Sequence, residues 1–406
     1  MAEFLVSPVG GPEAVDYSEK INMERMRKER LAKAQASLKK HGIAACLLMR
    51  PENMRYVTST KAVDFIDQLR YTVAFAEHDP VVYELPPGAL FGACPWVKPE
   101  NLKMAVVWAD EACGPDATWE MAQKFAQSIK EDLKAKGLEN EKLGIDKLDE
   151  PGQRALREAG IKTVDVMPAM LEARAVKTRD EINCINMAVA IAEVGWYALY
   201  EALKPGVLGR DLIAVAKKAM ISAGAEDTWG VLGGARNTGI VQVGDVITVD
   251  FCRITYLGYN TCYYRNVIVG RKPNDKEKDM HKRSYERVHN VIEAIKPGAT
   301  TADAAKYWLP AKERGYPSEA HTWCEDLAHG LGLWLYEYPT INRLWSFDHP
   351  MVLEKGMTMA VEAMEFDPAV GRTKLEEMIV VGDKGAEIMT KMPIENMMIA
   401  APIITA

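Results

Sequence analysis

The feature that most limits the fold is a change of pattern near residue 173. Before it, short apolar runs alternate with amphipathic stretches of helical period. After it come two helices, a block of strands, two more helices and a strand-rich tail. The chain has 406 residues, long for one core, so the change reads as a domain boundary separating domains 1–172 and 173–406.

In the first part, "KINMERMRKERLAKAQASLKKHG" predicts a charged helix over about 20–41, stopped by Gly42. "IAACLLM", "VAFA" (73–76), "VVYEL" (81–85), "LGID" (143–146) and "KTVDVM" read as strands, with helices near 116–136 and 150–159. Such alternation implies an α/β domain with a mixed sheet. The second part opens on "TRDE", a capping box in which Thr178 and Glu181 start a helix to about Leu203. Helices over about 210–223, 274–296 and 301–314, with the strands between and after them, make an α+β domain.

A net charge of −7 with no basic stripe argues against nucleic acid. Apolar runs such as Ile43 to Met49 are too short to span a bilayer, so no membrane partner is expected. The N-terminus has neither a basic start nor an apolar stretch and does not read as a signal peptide. Seven cysteines, an odd number with no CxxC pair, read as reduced thiols of a cytoplasmic protein.

Five positions in the second part draw attention: Asp250 at a strand end, Cys262, His329 in "AHGLGL", Glu362 in "MAVEAMEF" and Glu376 in "TKLEEMIVV". Carboxylates alternating with apolar residues point to one sheet face, where burial forces them to pair, protonate or bind a cation. The plain alternative is separate acids facing solvent at sheet edges.

The order of these motifs resembles the creatinase, prolidase and methionine aminopeptidase superfamily with the pita-bread fold. Metal-dependent members carry an Asp at a strand end, then "GYxxDxxR", "GHGxGxxxHE", "GMxxxxEP" and "RxED". Here "GYNTCYYR" keeps Gly258, Tyr259 and Arg265 but puts Cys262 in the Asp place. "AHGLGLWLYEYP" supplies His329 and Glu337, with Tyr336 where a second His would stand. "EKGMTMAVEA" supplies Glu362, and "TKLEEMIVV" supplies Glu376 and Glu377. "NMRYVTST" looks like the family's strand-entry motif in the N-terminal domain. The resemblance implies a creatinase-type N-terminal α/β domain and a pita-bread catalytic domain. It also implies a homodimer in which the partner's N-terminal domain covers the site.

The departures bear on chemistry. A bridging carboxylate that touches two ions is missing, so no two-metal centre is expected. Asp250, Cys262, His329, Glu362 and Glu376 would hold one divalent ion (zinc, iron or manganese) or none. Cys262 as an inert buried thiol remains the alternative. Where the peptidases carry a His before the Asp strand, "GGARNTG" offers Arg236. The metallopeptidase-like dimethylsulfoniopropionate lyases share that Gly-x-Arg segment. Aromatic residues crowd the motifs (Trp229, Tyr256, Tyr263, Tyr264, Trp323, Trp334, Tyr336 and Tyr338), as either an onium cage or plain core. Arg70 matches a family position that reaches across a dimer to a substrate carboxylate, unless it is simply a surface Arg.

The expected function is a non-peptidase enzyme that cleaves a C–S or C–N bond in a small carboxylate with a cationic head. His329, Tyr336, Glu362 and Glu376 would be catalytic; Arg70, Arg236, Tyr264 and Trp334 would bind substrate. An Xaa-Pro metallo-exopeptidase and an inactive binding protein are the alternatives.

Overall fold

The computed structural model of the chain describes residues 4–8, 15–19, 21–61, 66–85, 94–232, 239–368 and 370–402. Two compact units emerge: residues 22–174, and residues 175–406 together with 1–21. The division at Arg174/Ala175 falls two residues from the expected boundary. The first twenty-one residues, expected in the N-terminal domain, group with the second unit. Within them, β1 (Phe4–Pro8) and β2 (Val15–Glu19) form a separate antiparallel pair.

Among the described residues the first unit holds six strands: β3 (Ala45–Leu48), β4 (Tyr71–Phe75), β5 (Val81–Glu84), β6 (Leu102–Met104), β7 (Leu143–Ile145) and β8 (Thr163–Asp165). Their order is β6-β5-β4-β3-β7-β8. The β3–β4 and β4–β5 pairs are antiparallel and the rest parallel, so the sheet is mixed as expected. Helices Met23–Lys40, Pro115–Ala135 and Glu150–Glu158 lie where the periodicity placed them. "NMRYVT" is helical, within Pro51–Thr58, because Pro51 at the first turn has the φ a helix start needs.

The second unit begins with the helix Arg179–Ala202. Its capping box is present: Glu181 Oε2 accepts from Thr178 N at 2.8 Å, and Thr178 Oγ1 accepts from Glu181 N at 3.4 Å. This helix is long and apolar enough to cross a membrane, but Cys184, Ile185, Ala188, Ala192 and Trp196 are buried within the unit, as in a core helix. The helix expected over 301–314 is only Thr301–Ala305, followed by a short 3-10 turn Ala311–Arg314. Pro310 is the reason: it lacks an N–H and would clash with the preceding turn.

Two sheets carry the motif residues. One has β10 (Val231–Leu232), β11 (Val246–Asp250), β14 (Tyr264–Val269) and β20 (Met398–Ala400), in the order β10-β11-β14-β20, while β9 (Asp227–Thr228), β12 (Ile254–Tyr256) and β13 (Tyr259–Asn260) form a small sheet of their own. The other has β15 (Leu327–Gly330), β16 (Glu337–Ile341), β17 (Thr358–Asp367), β18 (Gly371–Val381) and β19 (Ala386–Ile388), in the order β16-β15-β17-β18-β19. Odd-numbered positions Met359, Val361, Ala363, Leu375 and Ile379 pack with Val288, Val291 and Ile292 from the helix Asp275–Ala294. Each fully buried Val, Leu, Ile or Met among them is worth about 1.5–3 kcal/mol. Even-numbered positions therefore face the other way, and Glu362, Lys374 and Glu376 are among them.

Arg265 ties the two sheets together. Its Nη2 lies 2.8 Å from Glu377 Oε2, its Nη1 donates to Glu376 O at 2.6 Å, and Nε and Nη2 donate to Met392 O. Both side chains are buried. Glu377, adjacent to Glu376 in the motif, thus points to the opposite face and does structural work. Glu377→Leu is expected to lower unfolding free energy by about 3–5 kcal/mol in urea titrations, because it strands a buried guanidinium. The Arg265→Met/Glu377→Leu pair should cost less than the sum of the two single changes.

Candidate active site

Register places the site residues. In the β11–β14 ladder Asp250 stands opposite Tyr264. The pairing continues beyond the strands: Phe251 N donates to Tyr263 O at 3.1 Å and Arg253 N to Thr261 O at 2.8 Å. Cys252 and Cys262 are therefore direct cross-strand neighbours in a non-hydrogen-bonded pair, where side chains come closest. By alternation Asp250, Cys252, Cys262 and Tyr264 share one face. Tyr263 takes the other face, buried against Phe251 and Arg265 with ring separations of 6.1 Å and 5.2 Å, so it belongs to the core.

In the second sheet Glu362 stands directly opposite Glu376, and His329 opposite Ala360. Two carboxylates on one rung repel unless a proton or a cation lies between them. Lys374 supplies part of the answer. Its Nζ is 2.8 Å from Glu362 Oε2 and 4.6 Å from the centre of the Tyr264 ring, and it donates to Cys324 O at 3.2 Å. His329 Nε2 lies 3.6 Å from Glu376 Oε1, and the Tyr336 ring sits 4.4 Å from the imidazole. The structure thus gathers Asp250, Cys262, Tyr264, His329, Tyr336, Glu362 and Glu376 as expected. It adds two residues that sequence reasoning missed, Cys252 and Lys374. Both signals were present: Cys252 is two residues after Asp250, and Lys374 fills the Arg place of the "RxED" motif.

The remaining candidates have other contacts or fall outside the described residues. In the first unit, Arg70 makes a bidentate pair with buried Glu84, at 2.6 Å and 2.7 Å, so its fork is engaged within its own chain. Trp334 carries the guanidinium of Arg253 at 5.5 Å, and its backbone N–H donates to Glu337 Oε1 at 3.0 Å. Glu337 in turn pairs with buried Lys177 at 3.1 Å, a packing role. Arg236 lies outside the described residues.

Burial dominates the electrostatics. It pushes Asp250 up to about 8, with Glu376 adding to the effect and Tyr264 and Lys374 opposing it. Glu362 and Glu376 are each raised to about 7 by burial, with Lys374 holding them back. Burial alone would lower Lys374, but Glu362 and Glu376 outweigh it and keep the ammonium charged. His329 is lowered by burial, so its imidazole is neutral at pH 7 and able to accept a proton. Tyr336 is pushed well up by burial and by Glu362, which makes it a donor and not a base.

These side chains do not fit a two-metal centre. Glu362 already holds an ammonium, a thiol replaces the bridging carboxylate, and Tyr336 replaces a histidine. They do fit one ion. Cys262, His329 and Glu376 offer donor atoms within 4.8 Å of one another, and so do Asp250, Cys252 and Cys262. Among the described residues, Asp250 Oδ1 and both Glu376 oxygens are buried without a well-formed hydrogen bond. If all ionise, three carboxylates and one ammonium leave two negative charges, which one divalent ion or two protons would balance.

The proton option gives a test in chelator-treated protein. Glu376 binds its proton more tightly folded (about 7) than unfolded (4.5), so the folded state loses ground as pH rises between those values. His329, lowered on folding, has the opposite slope, so the informative quantity is a difference. Relative to wild type, Glu376→Gln should gain on the order of 2 kcal/mol between about pH 5 and pH 8 in urea unfolding.

The pattern of metallopeptidase family M24 matches residues 155–383, and that of the creatinase/prolidase N-terminal domain matches residues 30–176. The chain is 28% identical to the Xaa-Pro dipeptidase of Pyrococcus furiosus over 54% of its own length and 64% of that protein's. It is 24% identical to a dimethylsulfoniopropionate lyase of Roseobacter denitrificans over 94% of its length and 88% of the lyase. In fold it superposes on an Xaa-Pro dipeptidase from Bacillus anthracis with a TM-score of 0.72 and 20% identity, covering 92% of this chain and 99% of that one. The chain belongs to metallopeptidase family M24, within the creatinase/prolidase superfamily of pita-bread enzymes.

Proposed function

We propose that this enzyme is a non-peptidase that cleaves a C–S or C–N bond in a small carboxylate bearing a cationic head. The observation that carries the reading is the Lys374 ammonium on Glu362, beside a thiol where the metallohydrolases need a bridging carboxylate. Two-metal activation of water lacks its ligands here. What remains is a buried acidic pocket in which oxygens of Asp250 and Glu376 lack a well-formed hydrogen bond, suited to an onium or guanidinium group. The near-full-length likeness to a lyase supports the same reading.

The residues can divide the work without a second ion. His329, neutral, or Glu376, poised near pH 7, takes a proton from the carbon next to the substrate carboxylate. In a C–S cleavage those C–H electrons form the double bond and the C–S bond breaks. The sulfide leaves neutral, so no acid need protonate it. By the same elimination a quaternary ammonium or guanidinium head leaves as a neutral amine or guanidine, and Tyr336, beside His329, is a donor that can hydrogen-bond the departing nitrogen of a guanidine. One divalent ion bound at Cys262 would add Lewis acidity and leave His329 to move the proton. In a homodimer, the partner's carboxylate-binding Arg70 would first have to leave Glu84.

The Xaa-Pro exopeptidase is the second reading, favoured by the dipeptidases among the relatives and fold neighbours. A substrate panel decides. Sulfonium, quaternary ammonium and guanidinium carboxylates should be turned over, and Xaa-Pro dipeptides should not, even with added Mn²⁺ or Co²⁺. His329→Ala should lower kcat for the active substrate by about 10²–10⁴. Dipeptide turnover near 10 per second, an ordinary enzyme rate, would favour the peptidase.

A further inference from the structure

We propose that Asp250, Cys252 and Cys262 form a dithiolate site for one thiophilic divalent cation of the zinc type, set beside the Glu362–Glu376 pair. The proposal does not depend on which bond the enzyme cleaves. Cys252 and Cys262 are both buried, and ladder bonds on either side, Phe251 to Tyr263 and Arg253 to Thr261, hold them on one rung. Thr261 locks the turn further: its hydroxyl donates to Phe251 O at 2.8 Å and accepts from Ile254 N at 3.2 Å.

The spacing suits a metal. Zinc–sulfur bonds of about 2.3 Å in a tetrahedron put two sulfurs about 3.8 Å apart. The donor atoms of Asp250, Cys252 and Cys262 all lie within 4.8 Å of one another. Asp250 adds a second, independent sign. It is 5% exposed, shares the face of the two thiols, and its Oδ1 has no well-formed hydrogen bond. Three protein ligands also leave one tetrahedral position open, the pattern of a working zinc site.

The competing donor group is Cys262, His329 and Glu376, which shares Cys262. A soft ion prefers two thiolates to one. Glu376 also faces Glu362 across the rung, where Lys374 already brings a positive charge. Both facts favour the dithiolate end.

The test uses the full chain, reduced and stripped of metal by chelator, then titrated with Co²⁺ as a spectroscopic probe for zinc. The expected result is one ion per chain with a near-ultraviolet thiolate-to-cobalt charge-transfer band. Cys252→Ser should halve the band roughly and weaken Zn²⁺ competition by at least about tenfold, a loss that even outer-shell changes cause. His329→Ala should leave the band in place. Near-ultraviolet circular dichroism of metal-free Cys252→Ser and Cys252→Ala shows whether the variants fold. If neither folds, the wild-type band and the His329→Ala variant still decide. Cobalt bound without a charge-transfer band, no cobalt bound, a band lost with His329 but kept without Cys252, or a Cys252–Cys262 disulfide in the reduced preparation would each overturn the proposal.

Discussion

Two glutamates on one rung, Glu362 across from Glu376, set the problem that the rest of the catalytic unit answers. Neither can move away without breaking the longest ladder in the sheet, and neither faces water. Something positive must sit nearby, or the carboxyls must hold protons. The "RxED" motif that this strand resembles places an arginine two residues before the last of these acids. Here a lysine stands there and reaches Glu362 directly. That contact makes the acid pair tolerable and takes one glutamate out of a shared metal-binding role.

The neighbouring rungs follow the same logic with different chemistry. Asp250 faces Tyr264, and Cys252 faces Cys262, on a ladder whose register runs straight through the end of the named strands. His329 arrives from a third strand, opposite Ala360, and approaches Glu376 across that small residue. The site is thus a set of adjacent rungs. Its loops matter less than the pairing of the strands behind them.

Much of this was legible in the sequence because the motifs fix strand position as well as residue type. Asp250, His329, Glu362 and Glu376 could be read from their order, and all four converge. Thr178 and Glu181 announced their helix through local chemistry that needs no partner. Residues that depend on cross-strand pairing were harder to see. Cys252 gains meaning only when the register sets it against Cys262, ten positions later. Lys374 drew no notice in the sequence, and only alternation along its strand puts it on the same face as Glu376. Arg70 read as a carboxylate binder or a surface Arg, yet Glu84, fourteen residues on, binds its fork. The helix expected over 301–314 failed because Pro310 outweighed the apolar period around it.

The clamp at Arg265 has an evolutionary consequence. It grips the carbonyl of Glu376 with one nitrogen and the side chain of Glu377 with another, so it distinguishes two identical neighbours. A slip of one position would still present a glutamate to the pocket, but would turn every other side chain of the strand inside out. With alignment pinned by a residue outside the chemistry, the positions around it are free to drift. Thiol for carboxylate, phenol for imidazole and ammonium for guanidinium can be exchanged as substitutions on a fixed frame. A scaffold built this way can change its reaction without relearning how to fold.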